Sequence, residues 1–313
     1  MNFLSMDYFI TVAQEKSFTK AAEHLHITQQ TLSAHIANVE KELGCQLFLR
    51  NVPLKLTYAG EVFLRYATDF QQKYSLMQKE FQDITTNAKG KLRIGIGYTR
   101  GRTIMPLLID EFQKDYPMLQ IELIEDSNEM LQKYLLEREI DLAIASFPDS
   151  IPGIELYPFY NEEVALLISN SLLEKLYKDN LNEVIKELNK GNLSVLHECP
   201  FVLGTPDGVT GRISRYFIRQ AKFNPIVKAQ SDNMETLLAL CRRGVGACFC
   251  PRNLKRMTLS GKQISDLTVF PLSDEAKYQI RFGILKQSYQ WKVVQEFMNT
   301  AIRLLKTKNF PET

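Results

Sequence analysis

Between residues 17 and 44 the apolar side chains recur in two short runs at helical spacing, and no other stretch limits the possible folds so tightly. Phe18, Ala21, Ala22 and Leu25 fall at i, i+3, i+4 and i+7, and Leu32, Ile36, Val39 and Leu43 form a second stripe. Only His26 and Ile27 stand clearly outside either pattern, and Thr28 supplies the hydroxyl expected of a helix cap. Alanines at 21 and 22 let the second helix cross closely on the first, as a helix-turn-helix requires. Outward from the second stripe lie Gln30, Thr31, Ser33, Ala34 and Ala37, with Gln29 and His35 at the margins. An amide can bond an adenine edge in two places and a hydroxyl can serve base or phosphate, so this face suits a major groove. An ordinary surface helix with polar residues outward has the same pattern.

The flanks extend this unit. Met6, Phe9, Ile10 and Ala13 predict a helix before it, and Gly44 suits a helix C-cap. The following CQLFLRNVPLKLTYAG alternates in part around Pro53, which reads as a two-stranded wing with Arg50 and Lys55 near its tip. Charge is a constraint here. Residues 1–60 hold Lys16, Lys20, Lys41, Arg50 and Lys55 against Asp7, Glu15, Glu23, Glu40 and Glu42, and the whole chain carries only +2. Phosphate neutralisation normally supplies most affinity for DNA, so a near-neutral reader must gain it through helix N-termini and through binding as an oligomer.

Four ordered motifs, SFTKAAEHL, ITQQTLSAHIANVEKELG, LFLR and LTYAG, give the first 60 or so residues a resemblance to the winged helix-turn-helix of LysR-type transcriptional regulators. The resemblance implies Gln29, Gln30 and Ser33 at the DNA, Thr28 at the helix cap and Arg50 at the wing. With their neighbours, the candidate DNA-contacting residues are Thr28, Gln29, Gln30, Thr31, Ser33, Ala34, His35, Arg50 and Lys55. Two departures matter. The family often has Arg where this chain has Ala34, and a longer, more basic wing where it has NVPLK.

From residue 59 to about 85 a single long helix is expected. Phe63, Tyr66, Phe70, Tyr74, Met77, Phe81 and Ile84 recur at spacings of 3, 4, 4, 3, 4 and 3 with no Pro or Gly inside. Such a stripe calls for a partner helix, either from a second copy or from its own chain. About 27 residues at 1.5 Å rise give roughly 40 Å, comparable to the 34–36 Å or so between half-sites that a dimer bridges. The resemblance implies that these residues form the dimerisation linker. NAKGK, residues 87–91, marks a boundary.

Beyond it, short apolar strands alternate with helical segments: KLRIGIGY, QIELIE and IDLAIAS, then VALLIS, PFVLG, PIVKAQSD and GVGACFC, then LTVFPL and QIRFGIL with a last helix over 289–305. That rhythm predicts parallel βαβ units arranged as two subdomains joined by two crossings, near 164–169 and 267–272. The half is similar to the family's effector domain, itself similar to periplasmic solute-binding proteins. The expected architecture is therefore α/β with an N-terminal all-α winged helix-turn-helix over 1–58, a linker helix over 59–88, and a two-lobed domain over 91–306. Lobe I spans about 91–163 and 269–306, and lobe II about 164–268.

Ligands of open α/β sheets bind at the carboxyl ends of strands, where helices begin. This rule selects Thr99, Arg100, Gly101 and Arg102 after the first strand, Ser146 and Phe147 after IDLAIA, and Thr205 after FVLG, with Phe249 as a further candidate. Thr99 also stands where the family commonly has a ligand-contacting hydroxyl. Two arginines beside a helix start favour an anionic effector, because a guanidinium grips carboxylate or phosphate in a planar fork.

Other chemistries find little support. GIGYTRG misses a dinucleotide fingerprint because Arg100 stands at its third glycine, there is no G-x-S-x-G or P-loop, and the four His show no convincing ligand spacing. Asp207-Gly208 and Thr210-Gly211 read as turns. The five Cys read as reduced thiols, mostly buried, and HECPF places Cys199 before an apolar strand rather than in a peroxide-sensing G-H-C segment. No apolar run approaches the roughly 18 residues of a membrane span, and MNFLSMD lacks a basic segment before an apolar one, so a cytoplasmic protein is expected. The expected function is transcriptional regulation without enzymatic activity, cofactor or metal. Its expected partners are double-stranded DNA, a small-molecule effector and further copies of the chain as homodimer or homotetramer. The rival reading is a solute-binding protein or enzyme with an accessory helical domain, and a regulator whose sensor no longer binds a ligand is a third.

Overall fold

The computed structural model describes residues 2–49, 54–84, 90–253, 265–286 and 289–306, and the chain separates into two compact units, Met1–Asn87 and Ala88–Thr313.

In the first unit, helices α1 (Phe3–Glu15), α2 (Phe18–His24) and α3 (Gln29–Leu43) each begin at a side-chain cap. Asn2, Ser17 and Thr28 accept from the amides of Ser5, Lys20 and Thr31, which satisfies donors that the first turn leaves free. Gly44 ends α3 at φ +70°, a left-handed conformation that favours glycine. Phe9, Val12, Ala21, Leu32 and Ile36 are fully buried where the three helices meet. Leu43, the last member of the second stripe, is instead 43% exposed. Strands β1 (Phe48–Leu49) and β2 (Lys55–Leu56) form the wing, antiparallel with Phe48 opposite Leu56. Glu40 pins it to α3, its Oε1 accepting from the Leu47 and Phe48 amides at 2.7 and 3.3 Å. Arg50 lies outside the described residues.

Helix α4 (Tyr58–Ile84) starts where LTYAG does two physical jobs. Thr57 Oγ accepts from the Gly60 amide at 2.9 Å and donates to the Gln46 carbonyl at 2.7 Å, and a Cβ on Gly60 would lie 2.1 Å from the Leu47 carbonyl oxygen. The apolar stripe of α4 divides. Phe63 does not belong to an open dimer seam, because it is buried in the core of its own unit, edge-on to Phe9 at 4.7 Å. Tyr74 lies 4.9 Å from the Phe3 ring yet stays partly open, and Tyr66, Phe70, Met77 and Phe81 are exposed. The Ile84 side chain lies outside what is described.

The second unit is built on β3 (Gly90–Ile96), α5 (Tyr98–Asp115), β4 (Leu119–Glu125), α6 (Asn128–Leu136) and β5 (Leu142–Ala145), in which β3 pairs in parallel with both β4 and β5. The next strand departs from the expected rhythm. Strand β6 (Ile154–Ser169) runs 16 residues, and Pro158 sits beside a register shift opposite Ile280 and Arg281, a place where a strand tolerates a missing amide. Its first part pairs antiparallel with β11 (Lys277–Leu285) as far as Glu163. From Val164 it pairs antiparallel with β9 (Cys248–Pro251) and, from Leu166, with β10 (Leu267–Phe270). The crossings between lobes therefore fall at Glu163–Val164 and within 271–276, overlapping the expected segments at their edges. The strands that return across them run antiparallel, so the sheet is mixed rather than all parallel. Lobe II adds α7 (Asn170–Tyr177), α8 (Leu181–Asn189), β7 (Pro200–Leu203), α9 (Val209–Gln220), β8 (Ile226–Gln230), parallel to β7, and α10 (Met234–Arg242). Helix α11 (Lys292–Leu305) returns to lobe I and buries Val293, Phe297 and Ala301 against α5 and the sheet.

Candidate functional site

Thr28, Gln29, Gln30, Thr31 and Ala34 are exposed together on the first turns of α3, and the core residues Leu32, Ile36 and Val39 fix that helix from behind. Thr28 Oγ meets the Thr31 hydroxyl at 2.8 Å, and Gln29 Nε2 donates to Ser33 Oγ at 2.9 Å, which braces the Gln29 amide along the helix. Gln30 is exposed and makes no hydrogen bond among the described residues. His35 is half-buried with its ring edge-on to Tyr8 at 5.0 Å, so it packs as much as it presents. Lys55 is exposed on β2.

In the second unit, a cleft of about 450 Å³ opens at the carboxyl ends of strands from both lobes. Gly97, Thr99 and Arg100 line it from the start of α5, and Thr205 lines it from the end of β7. The remaining candidates lie elsewhere. Gly101 is buried under the helix, where a Cβ would meet Glu125 and Ile96, so it serves close packing of α5 on the sheet. Arg102 is exposed and paired with Glu235. Ser146 is outside the cleft lining, and Phe147 packs against Gly283 and Leu135 inside lobe I. Phe249 is 3% exposed in the core of lobe II.

Arg100 overturns the argument for an anion. Its Nε and Nη2 donate to Glu162 Oε1 and Oε2 at 2.9 and 2.7 Å, a bidentate pair, and Nη2 also reaches the Tyr278 hydroxyl at 3.2 Å. Glu162 is completely buried and also accepts from the hydroxyls of Tyr160, at 3.0 Å, and Tyr278. Burial alone would push the Glu162 carboxyl up, but the Arg100 guanidinium and the two hydroxyls hold it below the usual carboxylate value. Burial, followed by the Glu162 charge, pushes both tyrosines well up, so they remain donors. Arg100 and Arg102 are thus both committed to carboxylates.

Sequence reasoning missed half of the cleft. Asp126 and Asp232 follow the ends of β4 and β8, two strands to which the strand-end rule was equally applicable. Asp207 and Gly208 read as a turn, yet Gly208 is the residue from which α9 starts, and it lines the cleft with Thr210. Glu162 and Tyr278 carry no local signal, because only the pairing of β6 with β11 brings them beneath α5. Among the described residues there is no group of three side chains fit to hold a metal ion, and no helix is long and apolar enough to cross a membrane. Cys45 is exposed and the other four thiols are buried.

A winged helix-turn-helix followed by a two-lobed domain with a cleft at its strand ends defines a DNA-binding regulator with a ligand-sensing half. Residues 3–61 match the bacterial regulatory helix-turn-helix proteins of the lysR family, and residues 85–306 match the LysR substrate binding domain. The chain belongs to the LysR family of transcriptional regulators, which are not enzymes. It is 27% identical over 314 residues to the uncharacterized HTH-type transcriptional regulator YcgK of Bacillus subtilis, an alignment covering 98% of this chain and 95% of that one. To the HTH-type transcriptional regulator IlvY of Escherichia coli it is 26% identical over 253 residues, covering 80% and 82%. Among solved structures, full-length CbnR complexed with its target DNA shares the fold at a TM-score of 0.61 and 21% identity, covering 97% of this chain and 99% of that one. A full-length OxyR from Pseudomonas aeruginosa does so at 0.66 and 21%, covering 97% and 95%.

Proposed function

We propose that α3 reads operator DNA in the major groove, that α4 pairs two copies of the chain, and that a small molecule held between the lobes changes how the pair engages DNA. The observation that carries this reading is the row of exposed amide and hydroxyl side chains at the start of a helix whose other face is buried through Leu32, Ile36 and Val39. Gln30 supplies a free amide for a base edge, Gln29 and Ser33 a braced pair beside it, and the α3 N-terminus a site for phosphate. Arg50, Ala34 and Lys55 flank this surface in sequence or structure. Tyr66, Phe70, Met77 and Phe81 leave an exposed apolar strip along α4 that a second copy would cover, giving a homodimer or a homotetramer built from it. Two heads on one operator also compensate for the near-neutral charge of each. Such a protein works in the cytoplasm.

Selection from a pool of randomised duplexes tests the reading. Wild type should return a two-fold symmetric site, and Gln30→Ala should relax one position in each half by about 1–3 kcal/mol. An unchanged preference in Gln30→Ala would remove Gln30 from the reading surface.

A further inference from the structure

The lining of the cleft is at odds with a simple anion receptor. Arg100 is the single cation among its described lining residues, and Glu162 already takes the Nε–Nη2 edge of its guanidinium and balances its charge. Four carboxylates, Asp126, Glu129, Asp207 and Asp232, stand around the same space, and none has an ion-pair partner among the described residues. Two are held in place by neutral donors, which fix the carboxylate and leave its charge in force. Asp126 accepts from the Ser127 amide at 2.7 Å and the Tyr134 hydroxyl at 3.0 Å, and Asp232 accepts from the Thr205 hydroxyl.

The cleft also offers donors. Gly97 caps the start of α5 and Gly208 that of α9, one in each lobe, and neither helix has a side-chain cap. Both glycines line the cleft, so the first amides of two helices, with the positive ends of their dipoles, are left for a ligand's oxygens. A ligand matched to both halves of this lining carries a cationic amine and an oxyanion on one small frame.

Taking the cleft as the effector site, we infer that it accepts a zwitterionic effector of amino-acid chemistry. The ammonium lies among Asp126, Asp207 and Asp232, and the carboxylate lies at the α5 and α9 N-termini. Glu162 is the specificity-determining residue: by balancing the Arg100 charge and taking its Nε–Nη2 edge, it leaves the cleft without an unopposed cation to hold a ligand that is only an anion.

Calorimetry on the full-length protein tests this with the twenty common amino acids, each paired with the carboxylic acid of the same skeleton lacking the amine, such as leucine with 4-methylpentanoate. At least one amino acid should bind wild type saturably and at least tenfold tighter than its partner acid. Asp232→Asn and Asp207→Asn, both at exposed positions, should each shrink that ratio severalfold, and Glu162→Gln should shrink it by strengthening the acid. The ratio, unlike affinity alone, does not move with a general loss of packing, and the two Asn variants keep the test intact if Glu162→Gln does not fold. The inference is overturned if no amino acid outbinds its partner acid in wild type, or if the ratio is unmoved in all the variants that fold. Filling the cleft with Thr205→Trp, or Asp207→Trp at an exposed position, separates the two levels. Binding that survives filling removes the cleft as the site, whereas binding that is lost on filling but indifferent to the amine overturns the ligand class alone.

Discussion

Replacing Arg100 by Met leaves Glu162 with no cation in a place where none of its side chain reaches water. A surface ion pair broken in this way would cost little, but stranding one partner of a buried pair costs about 3–5 kcal/mol. The carboxyl has one escape, which is to take up a proton. From an ordinary value of 4.5, the two and a half units to pH 7 amount to about 3.4 kcal/mol, and this caps the charge-related loss at that pH. In the variant the folded-state pKa is raised above the unfolded one, so the penalty is absent below about pH 4.5 and grows as pH rises. In wild type the sign is opposite. The carboxyl is held below its unfolded value, so its contribution is present above about 4.5 and is lost only on further acidification. Arg100→Met should therefore be about 3 kcal/mol less stable than wild type at pH 7, and about 2 kcal/mol of that should be regained at pH 5.5. Urea unfolding of the full chain, followed by the fluorescence of Trp291, reads this directly, since the single tryptophan is buried in lobe I. A loss that is the same at both pH values would refute the assignment of Glu162 as a buried, ionised partner.

Thr28→Ala should cost about 1 kcal/mol of α3 stability by removing the cap on the Thr31 amide, visible as faster hydrogen exchange of the first α3 amides. Phe63→Ala should cost the first unit about 3–5 kcal/mol in thermal melts, with the oligomeric state of the protein that remains folded unchanged, because that ring packs on Phe9. Glu at both Phe70 and Met77 should instead leave the fold of the head intact and give monomers or aggregates in light scattering, and a folded dimer would contradict the proposed seam. Burial pushes the Cys199 thiol up to about 12, so that at pH 8 only about one molecule in ten thousand is thiolate. Iodoacetamide should label Cys45 and spare Cys199 in the folded protein, and peroxide should leave DNA binding unchanged. A peroxide response abolished by Cys199→Ser would show otherwise.

The DNA-binding unit was legible because each of its elements is written locally. Ser17 and Thr28 open helices whose apolar spacing is unbroken, and Gly44 closes one at the left-handed φ that its lack of a side chain permits. Phe63 misled because a helix stripe records that a face is buried and not by what. The face of α4 meets its own unit at one end and is exposed over much of the rest. In the second unit the strands were visible as apolar runs, except the first part of β6, where Pro158 and the polar residues around it break the pattern at a bulge. The cleft was half legible. Thr99 and Thr205 stand just beyond strand ends, whereas Phe147, chosen by the same rule, and Phe249, which lies within β9, both turn into cores. Glu162 depends on a pairing between strands more than a hundred residues apart, which no local spacing records.

Footprinting measures at once both ends of the proposed link between a ligand in the cleft and DNA engagement by α3. On the DNA upstream of its own gene, the full-length protein should protect two half-sites separated by about one helical turn or a multiple of it. Saturation with the amino acid selected by calorimetry should change the extent or affinity of that protection, and Thr205→Trp should keep the ligand-free footprint while losing the response. A footprint that is identical with and without saturating ligand, or protection with no preference for any sequence, would contradict the account.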